Sequence, residues 1–336
     1  MTVWLILFGS AVVIAYAGTK LSRYGDEIAD LTGLGRLWIG VVLMAAATSL
    51  PELFTTVSAA WIDVPDLAAG DLLGAGMANM LTMGLIDQLY RRKKVWQKAA
   101  FEHALVAGLA MILTALAAFF ILYGPEVEHG GIGWVSLLLP TLYVLGMRVV
   151  YRQELGKRRE QEQELVVEAR AEEEPQRLSR RKALKRAGMK FAVASLALLL
   201  AAPLLASSAD QVAKQTGVSE SFIGTSLVAI TTSLPELITS LAAVRLGAFD
   251  LAVGNLFGSN AFNMAAFVFV DLAYRRGPLF GDLDGAHALT ALWSIVLMSI
   301  ALMGIIYRVE KRVALIEPDS LVIILGYLFG LWLLFP

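Results

Sequence analysis

Two glutamates sit where a glutamate is costly. Glu52 closes the run Ala47-Thr48-Ser49-Leu50-Pro51-Glu52, and Glu236 closes the run Thr231-Thr232-Ser233-Leu234-Pro235-Glu236, 184 positions later. Both runs are embedded in apolar sequence, where polar groups are expensive and mark ion pathways. Pro51 and Pro235 each remove a backbone donor and crowd the turn before them. Carbonyls near Ala45, Thr48, Ala229 and Thr232 are thereby expected to lose their helical partners, and a freed carbonyl is a hard oxygen ligand. Thr48, Ser49, Thr232 and Ser233 add hydroxyls. Glu52 and Glu236 add carboxylates, and Asn79 and Asn263 add amide oxygens. The donors are all oxygen, as Ca²⁺ with its roughly 6–8 flexible ligands requires, and Na⁺ suits the same carbonyls and hydroxyls. The absence of His and Cys from the set argues against Zn²⁺ or Cu.

The repetition extends well beyond the two hexapeptides. At the same offset Asp26 matches Asp210, Gly70 matches Gly254, Gly74 matches Gly258, Asn79 matches Asn263, and Asp87 matches Asp271. A duplication kept only for packing explains matched glycines. It does not explain matched Glu, Asn, Thr and Ser in apolar surroundings.

Composition shows what must position these groups. Of 336 residues, 57% are hydrophobic and 17% charged, with mean hydropathy +0.65. Soluble domains carry about 25% charged residues. The charges crowd into Arg91–Lys98, Arg148–Lys190 and Arg308–Arg312, leaving runs of the length that crosses a bilayer as a helix. The expected spans are 2–19, 34–61, 66–90, 99–122, 132–151, 189–206, 219–246, 249–273, 286–307 and 319–335. Ala15-Tyr16-Ala17 imitates a signal-peptide cleavage site, but no basic segment precedes the first run, which is read as a span.

The fold class is therefore an all-α membrane protein of ten transmembrane helices. With the N-terminus outside, the inside connections hold all basic residues except Lys214, Arg275 and Arg276. Five spans, an odd number, separate the two motifs, so the second copy enters the membrane from the opposite side. The expected organisation is a first membrane repeat over 1–151, a charged cytoplasmic linker over 152–187, helical in part and broken near Pro175, and an inverted second repeat over 188–336. Inverted repeats with polar groups at broken helices near the midplane are a transporter architecture.

Two buried carboxylates facing each other do not both stay ionised without a cation; they bind metal or take up protons. An empty, doubly charged site is too costly to carry across the membrane interior, whereas a loaded one can move. That is an antiport mechanism, and it describes a transporter and not an enzyme. The chain has no cysteine, EF-hand loop, Gly-rich phosphate loop or basic stripe with interleaved aromatics. Neither nucleotide nor nucleic acid is an expected partner, and no cofactor is expected beyond the transported ions.

Other polar positions carry structural expectations. Asp66 and Asp250 precede apolar helical runs and read as helix N-caps. Asp87 and Asp271 stand beside arginine pairs and read as interfacial ion pairs. Gly70, Gly74, Gly76, Gly254 and Gly258 offer small faces on which helices can approach closely.

These residues resemble the cation/Ca²⁺ exchanger superfamily, in particular its microbial Na⁺/Ca²⁺ exchangers. Those carry two inverted repeats, each with a Gly-Thr-Ser-Leu-Pro-Glu core followed by Gly-Asn-x-x-Gly-Ser-x-x-x-Asn/Asp. The following runs here are Gly70-Asp71-Leu72-Leu73-Gly74-Ala75-Gly76-Met77-Ala78-Asn79 and Gly254-Asn255-Leu256-Phe257-Gly258-Ser259-Asn260-Ala261-Phe262-Asn263. The resemblance implies that Glu52 and Glu236 bind Ca²⁺ with the carbonyls of Thr48 and Thr232. It implies flanking Na⁺ sites from Ser49, Ser233, Ser259, Thr232 and the carbonyls of Ala45 and Ala229, with Asn79 and Asn263 completing the centre. It also implies a two-helix bundle sliding against an eight-helix core. The short linker and the lack of targeting segments point to a prokaryotic plasma membrane. The implied function is Ca²⁺/Na⁺ antiport by alternating access; the alternative is divalent cation/H⁺ antiport on the same glutamates. Four departures bear on this. Ala47 and Thr231 replace motif glycines. Ala75 replaces a serine ligand, and Asp71 replaces an asparagine and adds a carboxylate toward the outside. Asn263 replaces the aspartate of many relatives, which removes one proton carrier.

Overall fold

The computed structural model describes residues 2–90, 102–124, 128–129, 132–165, 174–216, 231–307 and 318–334. The first repeat contains helices α1 (Thr2–Thr32), α2 (Arg36–Trp61), α3 (Pro65–Leu89), α4 (His103–Tyr123) and α5 (Trp134–Leu165). The second contains α6 (Glu174–Thr216), α7 (Leu234–Leu246), α8 (Phe249–Ala273), α9 (Ala286–Tyr307) and α10 (Pro318–Leu334). Two-residue strands Glu128–His129 and Ile132–Gly133 pair antiparallel between α4 and α5, and a single helical turn, Leu279–Asp282, lies between α8 and α9.

Among the described residues, seven helices are long and apolar enough to cross a membrane: α1, α2, α4, α8, α9, Trp134–Gly156 of α5 and Ser179–Ala209 of α6. The ten expected spans thus stand at seven on length and composition alone. The other three fall short for visible reasons. α3 runs for 25 residues but carries Asp66, Asp71 and Asp87. α10 has 17 residues. Of the span expected over 219–246, only the part from Thr231 lies within the described residues. Outward faces are apolar, with Leu5, Phe8, Val12, Ile112, Leu200 and Trp332 exposed among them. An apolar belt around helices with internally satisfied backbones is what a bilayer demands, and the protein is an integral multi-pass membrane protein.

Helix α1 shows how a lipid-facing helix is specified. Its buried residues Ser10, Ile14, Ala17, Gly18, Leu21, Ser22, Gly25, Ile28 and Ala29 recur every three or four positions and form one face. That face packs along α6 and against α7. A Cβ added at Gly18 would stand 2.9 Å from the Ile238 side chain, and the Ser22 hydroxyl donates to the Thr239 carbonyl at 2.6 Å.

The packing follows the duplication. α2 crosses α8 as α7 crosses α3, and α4 packs on α8 as α9 packs on α3. The turns match as well. α7 ends in Gly247 at φ 83°, and its counterpart after α2 is Asp63 at φ 62°. Among the described residues Asp63 alone holds a positive φ without being glycine. Aspartate is among the few side chains that tolerate this conformation, and Arg276 meets its carboxylate at 3.1 Å.

Several structural expectations need correction. The helix caps at Val64 and Ala248 bear no side-chain cap bond, and Asp66 and Asp250 lie inside the first turns of α3 and α8. Each meets a histidine of the opposite repeat instead: Asp66 faces His287 and Asp250 faces His103, both at 3.1 Å. The two histidines are themselves 184 positions apart. Asp271 does not pair with its neighbouring arginines. It accepts the backbone N–H groups of Gly133 at 2.8 Å and Leu279 at 2.9 Å, which fixes the strand pair and the short helical turn against α8. Its counterpart Asp87 accepts the Ser320 hydroxyl at 2.6 Å; the arginines beside it, Arg91 and Arg92, lie outside the described residues. In the linker, one helix ends at Leu165 and α6 begins at Glu174 with Pro175 in its first turn, where a missing N–H costs nothing, while 166–173 lies outside the described residues.

Candidate functional site

Helices α2 and α8 approach closely because glycine leaves room. A Cβ on Gly254 would stand 3.0 Å from the Leu37 carbonyl oxygen, and one on Gly258 2.5 Å from that of Val41. Gly40 returns the relationship, 2.6 Å from the Leu251 carbonyl. The glycine faces of the second repeat thus act as expected, bringing backbone against backbone. Gly70 and Gly76 instead meet the side chains of His287 and Ser294.

The two motifs are built differently. In α2 a π-helical turn, Ile39–Met44, precedes the motif, and the helix then continues from Ala45 to Trp61 through Pro51. The expected break at Pro51 is absent; the irregularity, at Ile39–Met44, lies about two to three turns nearer the N-terminus. π-turns widen a helix and recur at functional positions. In the second repeat the chain does break. Ser233 stands outside helix geometry at φ −84°, ψ 3°, and α7 begins at Leu234 with Pro235 in its first turn. Ser233 occupies the sparsely populated bridge region, where many active-site residues sit.

Glu52 and Glu236 project into the interior from these two elements, both without solvent exposure. Glu52 is within electrostatic reach of Glu236 and of Asp71. The Ser49 hydroxyl donates to Glu236 Oε1 at 3.3 Å. Both oxygens of Glu52 and Oε2 of Glu236 are buried without a hydrogen-bond partner among the described residues, as is the Ser233 hydroxyl. Unpaired buried carboxylate oxygens are strongly unfavourable unless something positive fills the space between them.

The surrounding oxygens form a shell. The Thr48 hydroxyl lies 3.1 Å from the Met44 carbonyl, 3.3 Å from the Ala45 carbonyl, 3.2 Å from Asn255 Oδ1 and 3.4 Å from Ser259 Oγ. One repeat later, the Thr232 hydroxyl donates to Asp71 Oδ1 at 3.0 Å. Asn79 donates to Asn260 Oδ1 at 2.8 Å, while both polar atoms of buried Asn263 lack a partner among the described residues. Ala229 lies outside the described residues. The remaining expected ligands, Glu52, Glu236, Thr48, Thr232, Ser49, Ser233, Asn79, Asn263, Ser259 and Ala45, are all buried in this region of α2, α3, α7 and α8.

Asn255 and Asn260 are partners that the ligand reading did not include. Both stand inside the polar run Gly254–Asn263, so their signal was present in the sequence. Among the described residues no group of three or more carboxylate or imidazole side chains closes on one metal position. A cation here would be held by a carboxylate pair and neutral oxygens.

A model of the family described as sodium/calcium exchanger protein matches residues 2–152 and 188–335. The chain belongs to that family. This exchanger is 27% identical over 325 residues to the putative antiporter CaxA of Alkalimonas amylolytica, covering 96% of each chain. It is 24% identical over 332 residues to the sodium/calcium exchanger MaX1 of Methanosarcina acetivorans, covering 90% of each. Its fold matches that of the sodium-calcium exchanger NCX_Mj with a TM-score of 0.70 at 18% identity, over 97% of each chain. The resemblance read from the two motifs is thus borne out at the level of family and fold. The exchanger is an antiporter-type cation/Ca²⁺ transporter with Na⁺ and Ca²⁺ as the ions its family implies.

Proposed function

We propose that the protein exchanges Ca²⁺ for Na⁺ by alternating access, with Glu52 and Glu236 binding the divalent ion between them. One observation carries the reading. The two glutamates are counterparts in the duplication, come from opposite halves, and are buried together with oxygens left unpaired. Thr48, Ser49, Thr232, Ser233, Ser259 and the Ala45 carbonyl supply neutral oxygens of the kind Na⁺ accepts. Asn79 and Asn263 belong to the centre; Asn263 brings an amide with no partner among the described residues. Occupancy neutralises the carboxylates and permits the halves to rearrange, so each ion moves only when the other has been released.

The basic residues place the linker 152–187 and the connections beside α1 and α3 on the cytoplasmic side, with the N-terminus outside. The family match leaves 153–187 unmatched between its two pieces, in keeping with a linker between two repeats. Ten spans complete this topology, with α3, α7 and α10 crossing beside the seven apolar helices. In that arrangement α1 and α6, which pack along each other, are the pair that slides against the rest.

The test is Ca²⁺ uptake into proteoliposomes of the purified chain, driven by an outward Na⁺ gradient or by a pH gradient, with Glu52→Gln as control. Uptake under the Na⁺ gradient alone is expected. Uptake only under the pH gradient moves the coupling ion to H⁺ and overturns the Na⁺ assignment.

A further inference from the structure

At Asp71 the duplication is broken inside the site, and this break adds a charge. In the second repeat Asn255 is fully used. Its Oδ1 accepts from Thr48 at 3.2 Å, and its Nδ2 donates to Thr239 Oγ1 and Ser240 Oγ, both at 3.1 Å. Its counterpart is Asp71, only 5% exposed. The Thr232 hydroxyl satisfies Asp71 Oδ1 at 3.0 Å, as Thr48 satisfies Asn255. The other half of the pattern fails. A carboxylate has no N–H to donate to Thr55 and Thr56, the counterparts of Thr239 and Ser240, and both hydroxyls bond carbonyls of their own helix, as Thr239 also does to Pro235. Thr55 donates to the Pro51 carbonyl at 2.9 Å and Thr56 to the Leu53 carbonyl at 3.0 Å. Asp71 Oδ2 is left buried without a partner among the described residues.

We infer that Asp71 and the Thr232 hydroxyl form a subsite for a monovalent cation, one that the second repeat lacks. A buried carboxylate oxygen is costly unless a positive charge or donor meets it. The neighbouring Ser233 hydroxyl, also buried, is unpartnered among the described residues. All these donors are neutral or anionic oxygen, which is alkali-cation chemistry. The subsite also offsets a loss one turn along α3. Ala75 stands there without a hydroxyl, while its counterpart Ser259 touches Thr48 at 3.4 Å. Asp71 stands within electrostatic reach of Glu52, and the Ca²⁺-binding arm of the experiment below separates its cation from the divalent one. This inference rests on the exchange reading above and names Na⁺ as the occupant.

The experiment measures Ca²⁺ uptake by proteoliposomes of the full chain against internal Na⁺, with choline as the balancing cation, for wild type, Asp71→Asn and Asp71→Asn with Ala75→Ser. Losing one charged ligand is expected to raise half-saturating Na⁺ about tenfold. Ca²⁺ binding by the solubilised protein in Na⁺-free medium should hold, and the restored hydroxyl should recover part of the loss. Unchanged Na⁺ dependence in Asp71→Asn overturns the subsite. An equal loss of Ca²⁺ binding also overturns it, by placing Asp71 in the divalent site itself. If Asp71→Asn does not fold, Asp71→Ser is read by the same criteria. If wild type shows no Na⁺-driven uptake, the exchange reading fails by itself. The subsite is then decided by Na⁺-dependent thermal stabilisation of the solubilised protein, which must be present in wild type and lost in Asp71→Asn.

Discussion

Ser49 of the first repeat donates its hydroxyl to Glu236 of the second, across 3.3 Å of buried interior. The contact ties the motif of one half to the carboxylate of the other. On the proposed reading neither half holds a complete site, and any relative movement of α2 and α7 would change how many oxygens face a bound ion. Alternating access needs this property: affinity that depends on the relationship between two halves.

The glutamates carry the first prediction. Glu52→Gln and Glu236→Gln each keep the side-chain shape and remove the charge that a divalent ion requires. Each variant is expected to lose Ca²⁺ uptake while eluting as a monodisperse species from size exclusion. Wild-type flux in either would remove the carboxylate pair from the mechanism.

Ser49→Ala tests the link between the halves more gently. A hydrogen bond to a charged group contributes about 1.5–3 kcal/mol, and a 3.3 Å separation puts this one at the weak end. The half-saturating Ca²⁺ concentration is expected to rise about tenfold. A titration that overlays wild type shows that the hydroxyl does not support Glu236.

Asp271 is expected to matter for stability and not for ions. Asp271→Asn replaces one of the two oxygens that bind the Gly133 and Leu279 N–H groups. A buried donor left unsatisfied costs about 1–3 kcal/mol. The solubilised protein should melt earlier with Ca²⁺ affinity unchanged, and a change in affinity at constant melting temperature contradicts the assignment.

Gly258→Val probes the approach of α2 to α8. Even a Cβ at this position would stand 2.5 Å from the Val41 carbonyl oxygen and 2.9 Å from the Ala45 Cβ. Overpacking of this kind costs about 1–3 kcal/mol, and it displaces the helix that carries Thr48 and Glu52. Both thermal stability and Ca²⁺ uptake should fall, whereas Gly108→Val, with open space around its Cβ position, should leave both near wild type.

The sequence by itself determined the duplication, the helical class and the two glutamates. Hydropathy and a fixed offset of 184 are properties of residue types along the chain, and they survive without any coordinates. His103 and His287 stand at the same offset, but a lone histidine has no local pattern that marks it. Only the tertiary structure decided the partners. Asp66 and Asp250 read as caps because capping is local, but helices from the opposite repeat bring histidines to them. Pro51 and Pro235 are identical in type and register, yet the first is absorbed after a π-turn and the second follows a break at Ser233. A proline removes one donor wherever it stands; whether the helix bends, widens or stops depends on what packs around it. The same holds for Asp71 and Asn255. The sequence marks the difference of a single atom type, and the packing of α3 and α8 against opposite motifs leaves one oxygen open and the other amide fully bonded.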